Sequence, residues 1–418
     1  MRKQTGFSLL LGTLAAFSCS AAAQTITIAT HYAPENIAVL EPCFAAYKDL
    51  TGITVEHQQI PYGDYLSTIL TARLGGQSPD IYHVYSIWAA QLVDNGVLGT
   101  PPQETLDFVN DSYVASTVGA VTIDDQVWGI PTEVSNYLLV YNKKLLAEAG
   151  YDAPPTTWEE LVEIAKATTK KDAQGRMTQA GFAFGETMAT TVHPFLTLLY
   201  SKGIDLFTED FTGTNLTSPE AVETLQQEVD LFKEGVADPS VVLEDFQSGS
   251  VALSIQPVWI EGTYREVFGD AFEDTVGISQ IPAGPDWRSL QYAFFYAVDA
   301  NSDVADESWA FLQWLDSQES AQEAGGPSCM GQMLIDLGAL TANNADITAS
   351  QDQLGDFFTK PFADALERSI SEPNVIQAAE IEAVLQTYIE QAWRGQLEPE
   401  AALTQADEEI TAILSEFY

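Results

Sequence analysis

Short runs of β-branched and aromatic residues alternate with amphipathic segments of helical period, and this alternation restricts the possible folds more than any other feature. Such apolar runs are typical of strands, and helices between successive strands favour parallel sheets. The predicted strands cover 25–29, 53–60, 80–85, 137–141, 181–184, 251–255, 276–281 and 292–298. No strand pattern follows residue 355. The sequence therefore predicts an α/β fold with largely parallel sheets and a helical end.

Residues that favour helix starts precede several amphipathic segments. Thr157 and Glu160 have the spacing of a capping box. Ser218 is followed by a proline, which is the pattern of an N-cap with proline in the first turn. An apolar stripe predicts a helix over 375–394, and Pro399 begins a last helix.

The charge balance excludes two classes of partner. The chain has 17 Lys and Arg against 60 Asp and Glu, a net charge of −43 at pH 7. Nucleic acids and anionic membrane surfaces are bound by basic patches, and no basic run here exceeds two residues. Hydrophobic residues make up 46% of the chain, enough for a large core. The acidity fits either a generally acidic exported protein or adaptation to a saline medium, where salt screens the repulsion.

The first 23 residues have the pattern of a signal peptide. Arg2 and Lys3 precede an apolar stretch over 7–17, and three alanines follow at 21–23. We expect cleavage before Gln24 and export of the mature chain to the periplasm. Cys19 leaves a lipoprotein as the alternative. No other stretch has the 18 apolar residues of a membrane span.

Two cysteines, Cys43 and Cys329, remain after the expected cleavage. An oxidising compartment permits a disulfide between them. Two separate buried thiols are the alternative, because free cysteine packs as a small hydrophobe.

Known catalytic and cofactor motifs are missing from the sequence. There is no nucleophile elbow, zinc-protease motif, CxxC pair or phosphate-binding glycine loop, and the four histidines lack metal-like spacing. Because the chain has 60 acidic residues, the sequence neither identifies nor excludes a pair of carboxylates of the kind that hydrolyses glycosidic bonds. Because these motifs are missing, we expect no cofactor, no metal and no catalytic residue, and an oxygen-ligand Ca²⁺ site without an EF-hand pattern is left open.

An ordered set of segments resembles the extracellular solute-binding proteins of bacterial ABC importers, family 1, the carbohydrate group that includes maltose-binding proteins. The segments that carry the resemblance are GGQSPDI at 75–81, WGIPTE at 128–133, YNKKLL at 141–146, PPTTWEEL at 154–161, FQSGSVAL at 246–253, IPAGP at 281–285 and SWAFLQWL at 308–315. One position departs from maltose-binding proteins: their late cleft tryptophan aligns near Glu382, so an aromatic platform for a long oligosaccharide is not expected.

The resemblance implies a periplasmic-binding-protein-like fold, with two α/β lobes, a ligand cleft between them and crossing hinge strands. The implied N-lobe covers 24–131 and 282–326, and the implied C-lobe covers 132–281 and 327–418. The crossings are expected near 130–133, 279–282 and 325–328.

The implied function is that of a periplasmic receptor, a monomer, which captures a small solute and passes it to the permease subunits of an ABC importer. The solute is expected to be a sugar or polyol, with an anionic sugar or a zwitterionic osmolyte left open. The alternative is an exported carbohydrate-active enzyme, a hydrolase or lyase, on a similar body.

The resemblance places Trp259 where maltose-binding proteins stack a tryptophan on sugar. Tyr85, Ser86 and Trp88 follow a strand at its carboxyl end, where open α/β sheets bind ligands, and we expect one of them to contact the solute.

Other candidate ligand contacts lie beside the expected crossings and strand ends. They are Glu133, Asn136, Glu186, His31, Tyr292 and Arg288. Arg288 is one of few cations and would suit an anionic ligand.

Overall fold

The computed structural model describes residues 24–372 and 374–418, so the expected signal peptide lies outside the described residues. The strands are β1 (Thr25–Thr30), β2 (Thr54–Gln59), β3 (Ile81–Tyr85), β4 (Thr122–Ile123), β5 (Gln126–Val127), β6 (Ile130–Asn142), β7 (Lys170–Lys171), β8 (Met177–Phe182), β9 (Val251–Pro257), β10 (Val276–Ser279), β11 (Ser289–Val298), β12 (Leu340–Thr341) and β13 (Ser369–Ser371).

Helices lie between these strands and dominate the last third of the chain. They are α1 (Pro34–Ile37), α2 (Glu41–Thr51), α3 (Tyr65–Gly75), α4 (Ala89–Asp94), α5 (Gln103–Ser112), α6 (Ala115–Ala120), α7 (Lys143–Glu148), α8 (Trp158–Thr168), α9 (Met188–Ser201), α10 (Pro219–Lys233), α11 (Glu261–Phe268), α12 (Phe272–Thr275), α13 (Ala305–Leu315), α14 (Cys329–Leu337), α15 (Asn344–Ala349), α16 (Gln351–Leu354), α17 (Thr359–Ala365), α18 (Ala378–Trp393) and α19 (Pro399–Leu414).

The main sheet runs in the order β2-β1-β3-β11-β6-β9-β8-β7, and the long strand β6 belongs to both of its halves. Up to Asn136, β6 pairs with β11; from Tyr137 onward it pairs with β9 and β10. The β1–β3–β11 half forms the N-lobe sheet and the β8–β9–β10 half forms the C-lobe sheet. The predicted α/β fold with two lobes around a cleft is confirmed, and β6 changes its pairing partner after Asn136.

The prediction of largely parallel sheets is wrong for the centre of the molecule. β1 runs parallel to β2 and β3, and β8 runs parallel to β9. However, β11 is antiparallel to both β3 and β6, and β6 is antiparallel to β9. The two central strands β6 and β11 run in opposite directions, and each is also antiparallel to the strand on its other side in the sheet order, β9 and β3 respectively.

The C-terminal part of the chain, for which the sequence predicts only helices, also contains a short strand. β13 pairs in parallel with the start of β11, through Ser369, Ile370 and Ser371. A run of three residues carries no periodic signal. Its pairing is decided by a partner about eighty positions earlier in the chain.

The predicted helix starts are present, with one difference in detail. The side chains of Thr157 and Ser218 accept hydrogen bonds from the backbone N–H groups of Glu160 and Ala221, respectively. The carboxylate of Glu160 accepts from the backbone N–H and the hydroxyl of Thr156. In a regular capping box the carboxylate of Glu160 would accept from the backbone N–H of Thr157. Here it accepts from the backbone N–H of Thr156, one residue earlier.

Cys43 and Cys329 form a disulfide, with their Cα atoms 6.3 Å apart. The bond joins α2 of the N-lobe to the first residue of α14, and both cysteines are buried. Of the two alternatives that the sequence left open, the disulfide is the one present.

Gly129 belongs to the WGIP segment and lies immediately before the crossing strand β6, where the chain passes very close to β11. A Cβ atom at this position would collide with the carbonyl oxygen of Tyr296 and with the ring of Phe295, both on β11. Only glycine lets the chain approach β11 so closely before β6 begins.

Candidate functional site

A cavity of about 770 Å³ lies between the two lobes. Its walls are formed by residues that follow β1, β2 and β9, by the last residue of β3, by β6, β11, α1, α9 and α11, and by the end of α14. Its lining residues are His31, Tyr32, Ala33, Glu35, Asn36, Tyr62, Tyr85, Glu133, Val134, Ser135, Thr187, Met188, Ala189, His193, Val258, Trp259, Gly262, Thr263, Glu266, Tyr292, Phe294, Asp336, Leu337 and Ala339.

Aromatic side chains form one continuous wall of this cavity. Trp259 follows β9 and leaves 40% of its surface exposed, and its Nε1 donates a 2.7 Å hydrogen bond to the hydroxyl of Tyr292. The ring of Tyr292 lies 5.3 Å from that of Tyr85, which stacks on Phe294 at 4.8 Å. Aromatic faces of this kind can cover the C–H face of a ring-shaped solute.

A buried polar network forms the N-lobe side of the cavity. The hydroxyl of Tyr32 donates to the carboxylate of Glu133. Nε2 of His83 lies 3.0 Å from the hydroxyl oxygen of Thr132, and Nδ1 of His83 lies 3.2 Å from Nδ1 of His31. This network holds Glu133 at the cavity surface in a fixed position.

Burial shifts the ionisation of these groups towards their neutral forms. It lowers the pKa of His31 to about 4 and that of His83 well below its usual value. It also raises the pKa of Glu133 to about 7, although the hydrogen bond from Tyr32 opposes the rise. At neutral pH the two imidazoles are uncharged, and Glu133 is divided between its charged and neutral forms.

At the inner end of the cavity, His193 lies against two buried carboxylates. Nε2 of His193 is 2.9 Å from Oε1 of Glu372 and 3.5 Å from Oε2 of Glu382. Burial alone lowers the pKa of His193, but the two carboxylates outweigh it and raise that pKa to about 10. Burial and the neighbouring carboxylate of Glu372 raise the pKa of Glu382 well above its usual value.

Among the described residues that line the cavity, none is Lys or Arg, whereas four carry a carboxyl group: Glu35, Glu133, Glu266 and Asp336. These groups can accept hydrogen bonds from hydroxyls. They give an anionic ligand no counter-charge.

The structure brings five of the ten residues predicted as ligand contacts into the cavity wall. They are His31, Tyr85, Glu133, Trp259 and Tyr292. They come from both lobes and from the strands between them.

The other five predicted contacts lie outside the cavity lining, each for a visible reason. Ser86 and Trp88 are buried in the 3₁₀ turn after β3, behind Tyr85. The amide of Asn136 points away from the cleft and donates to the carbonyl oxygen of Phe362. Glu186 lines a separate small pocket beside Trp393, elsewhere in the C-lobe.

Arg288 also lies outside the cavity. Its guanidinium donates to the backbone carbonyl oxygens of Asp286 and Trp287 and lines a different surface pocket. The cation that suggested an anionic ligand is therefore not available at this site.

Several cavity residues were not predicted as contacts from the sequence. Tyr62 and Asp336 lie in segments without a motif, and the folded chain alone brings them to the cleft. Glu266 lies on α11, two turns after Trp259, and that spacing could have indicated it.

No helix among the described residues is both long and apolar enough to cross a bilayer.

Comparison with known proteins places the chain among binding proteins. Residues 32–322 match the family described as "Bacterial extracellular solute-binding protein". A putative binding protein of Brucella abortus is 25% identical over 383 residues, which cover 87% of this chain and 86% of that protein. The erythritol/L-threitol-binding protein of Mycolicibacterium smegmatis is 22% identical, with 68% and 65% of the two chains covered.

A solved structure shows the same fold. The ABC transporter solute-binding protein of Thermotoga lettingae, bound with α-D-tagatose, superposes with a TM-score of 0.80 at 21% identity. The match covers 94% of this chain and all of that one.

Proposed function

The chain belongs to the family of bacterial extracellular solute-binding proteins, and from this premise we propose that it captures a neutral polyhydroxylated solute, a sugar or a polyol, for an ABC importer. The family consists of binding proteins, which sets aside the alternative of an exported hydrolase or lyase. Relatives that bind erythritol or threitol and tagatose support the solute class.

The observation that carries the proposal is the chemistry of the cavity wall. The open face of Trp259 offers an apolar platform, and Glu133, Glu266 and Asp336 offer acceptors for hydroxyl groups. A sugar or polyol has both an apolar C–H face and hydroxyl donors, so it satisfies both kinds of group at once.

The two-lobed architecture fits delivery to a transporter. A ligand shifts a conformational equilibrium only when it binds one state more tightly than the other. A solute that contacts both Trp259 of the C-lobe and Glu133 on the crossing strand binds the closed arrangement more tightly, and it therefore favours closure. In this proposal the permease subunits of the importer recognise the closed, loaded form of a monomer.

The proposed location is the periplasm, after removal of residues 1–23. The composition of that segment supports a cleaved signal peptide, with lipidation at Cys19 as the alternative. Mass spectrometry of the exported protein distinguishes a chain that begins at Gln24 from a lipid-modified chain that begins at Cys19.

A ligand screen tests the proposal directly. Thermal shift measurements with neutral sugars, polyols, uronates and amino sugars, followed by calorimetry of each hit, should identify a neutral compound that binds one per chain without being consumed. Binding of uronates alone would contradict the neutral class, and turnover of a glycan would contradict the receptor function.

A further inference from the structure

Three buried side chains from separate elements converge beside the cleft. His193 lies on α9, Glu372 follows β13 and Glu382 lies on α18. One donor atom from each lies within 4.8 Å of the other two. We propose that these three residues, called here the His-Glu-Glu cluster, bind one divalent transition-metal ion such as Zn²⁺.

The donor atoms of the cluster have no other partner. Nε2 of His193, Oε1 of Glu372 and Oε2 of Glu382 are buried without a hydrogen bond of acceptable geometry among the described residues. Their side chains are exposed by 1%, 1% and 5%. Within residues 24–372 and 374–418, the three atoms contact only one another, at 2.9 Å and 3.5 Å from Nε2 of His193, and two carboxylates buried so close together need a positive charge between them. A metal ion placed between the three atoms would satisfy all of them.

The remaining atoms of two of these side chains are held by tyrosines. Nδ1 of His193 lies 2.7 Å from the hydroxyl of Tyr137, and Oε2 of Glu372 accepts a 2.8 Å hydrogen bond from Tyr85. When Nδ1 carries the proton and donates it to Tyr137, the lone pair of the imidazole is on Nε2, the atom that faces the carboxylates. Metal-binding histidines are commonly oriented in this way by a partner on the other ring nitrogen.

The charge of the cluster matches a divalent cation. Once His193 and Glu382 have released their protons, the two carboxylates and the neutral imidazole carry a charge of −2, and no Lys or Arg forms an ion pair with Glu372 or Glu382 in the described part of the chain. One nitrogen and two carboxylate oxygens suit Zn²⁺, Mn²⁺ and similar ions, and three protein ligands leave a coordination position open. Protons on His193 and Glu382 are the alternative to a metal ion as the neutralising charge. The zinc titration described below distinguishes a metal ion from protons.

The cluster adjoins the cleft, which gives a metal ion a route of entry. His193 and Tyr85 both line the cavity, so an ion needs to pass only their side chains. Tyr85, the last residue of strand β3, contacts the cluster through its hydrogen bond to Glu372.

Calorimetry on the mature, folded protein tests the proposal. The protein is stripped with EDTA and titrated with ZnCl₂ in the presence of excess MgCl₂, which occupies the acidic surface without competing well for a nitrogen-containing site. We expect one saturable zinc site per chain, a melting temperature that rises with zinc and falls again with EDTA, and visible absorption bands when Co²⁺ replaces Zn²⁺.

Two variants and one control locate the site. Glu382→Gln removes one ligand charge at constant shape and should weaken zinc binding at least tenfold. Tyr137→Phe keeps all three ligands and should weaken zinc binding by about tenfold, as expected for loss of an orienting partner. Glu266→Gln removes an exposed carboxylate of the same cavity and should leave the affinity within about twofold.

The outcomes divide clearly. Absence of a saturable zinc site in the folded wild-type protein would overturn the proposal and leave protons as the neutralising charge. An equal loss of zinc affinity in the Glu266→Gln and Glu382→Gln variants would also overturn the proposal. Such a result would mean that zinc binds to carboxylates in general and not to the His-Glu-Glu cluster. If Glu382→Gln does not fold, the Tyr137→Phe result and the Co²⁺ spectrum decide.

Discussion

Nε1 of Trp259 donates a hydrogen bond to the hydroxyl oxygen of Tyr292, 2.7 Å away, and this contact joins the C-lobe wall of the cleft to strand β11. The bond fixes the edge of the indole while its face stays open to the cavity. Trp259 is thus an aromatic ring held in place without being part of a core, which is the arrangement that a stacking platform requires.

The first prediction concerns Trp259→Ala. We expect solute affinity to fall by about 2–4 kcal/mol, because the variant loses the apolar platform. The melting temperature of the unliganded protein should change little, since the ring is 40% exposed. Calorimetry with the solute found in the screen, together with melting of the unliganded variant, measures both quantities.

Trp309 is the matched control for this experiment. It is 3% exposed, on α13 and away from the cavity. Trp309→Ala should lower the free energy of unfolding by about 3–5 kcal/mol, as is usual for loss of a buried tryptophan. If Trp259→Ala behaved like Trp309→Ala and left affinity intact in the folded fraction, Trp259 would be a core residue.

The sequence predicts those parts of the molecule that depend on local signals. Thr157 and Ser218 start helices as their patterns indicate, because a cap needs only the backbone of its own first turn. β13 was missed because its partner β11 is distant in sequence and decides the pairing.

The candidate site shows the same limit. Trp259 could be selected because a recurring motif precedes it, whereas Asp336 enters the cavity on a helix end that no pattern marks. His193 and Glu382 lie on different helices, and no spacing in the sequence predicts that they meet. Convergence of side chains from separate elements is decided by tertiary packing, which a single sequence does not display.

The disulfide gives a second prediction. The double variant Cys43→Ser/Cys329→Ser should lose about 2–5 kcal/mol of stability, because the bond closes a loop of 286 residues and restricts the unfolded chain. Urea unfolding of the variant, with and without reductant, gives the value. Wild-type protein treated with reductant should unfold like the variant; a variant as stable as the oxidised wild type would show that the bond contributes nothing.

The acidic charge gives a third prediction. With a net charge of −43, like-charge repulsion destabilises the folded chain, and added salt should relieve it. We expect the melting temperature of the unliganded protein to rise between low salt and about 1 M NaCl, where the Debye length falls to roughly 3 Å. KCl should act like NaCl if screening is the cause. A melting temperature that stays flat or falls would reject this explanation.

Glu228 gives a prediction about pH, because this carboxyl group is fully buried on α10. Its Oε2 accepts a 3.0 Å hydrogen bond from Nε1 of Trp393, and its Oε1 has no partner among the described residues. Burial raises the pKa of Glu228 from 4.5 to about 8, although the bond from Trp393 opposes the rise. The folded chain therefore keeps this proton over a pH range in which the unfolded chain releases it.

The sign of the effect follows from this difference in proton binding. The contribution of Glu228 to stability is complete below the unfolded pKa and is lost as the pH rises towards about 8, where the folded state must also give up the proton. Glu228→Gln stays neutral, so its stability should match that of the wild type near about pH 5 and exceed it by about 4 kcal/mol near about pH 9. Urea unfolding at both pH values measures the difference, and Glu223→Gln, an exposed carboxylate on the same helix, is the control that should show little change at either pH. A Glu228→Gln variant whose stability followed the wild-type pH dependence throughout would show that Glu228 does not carry this proton.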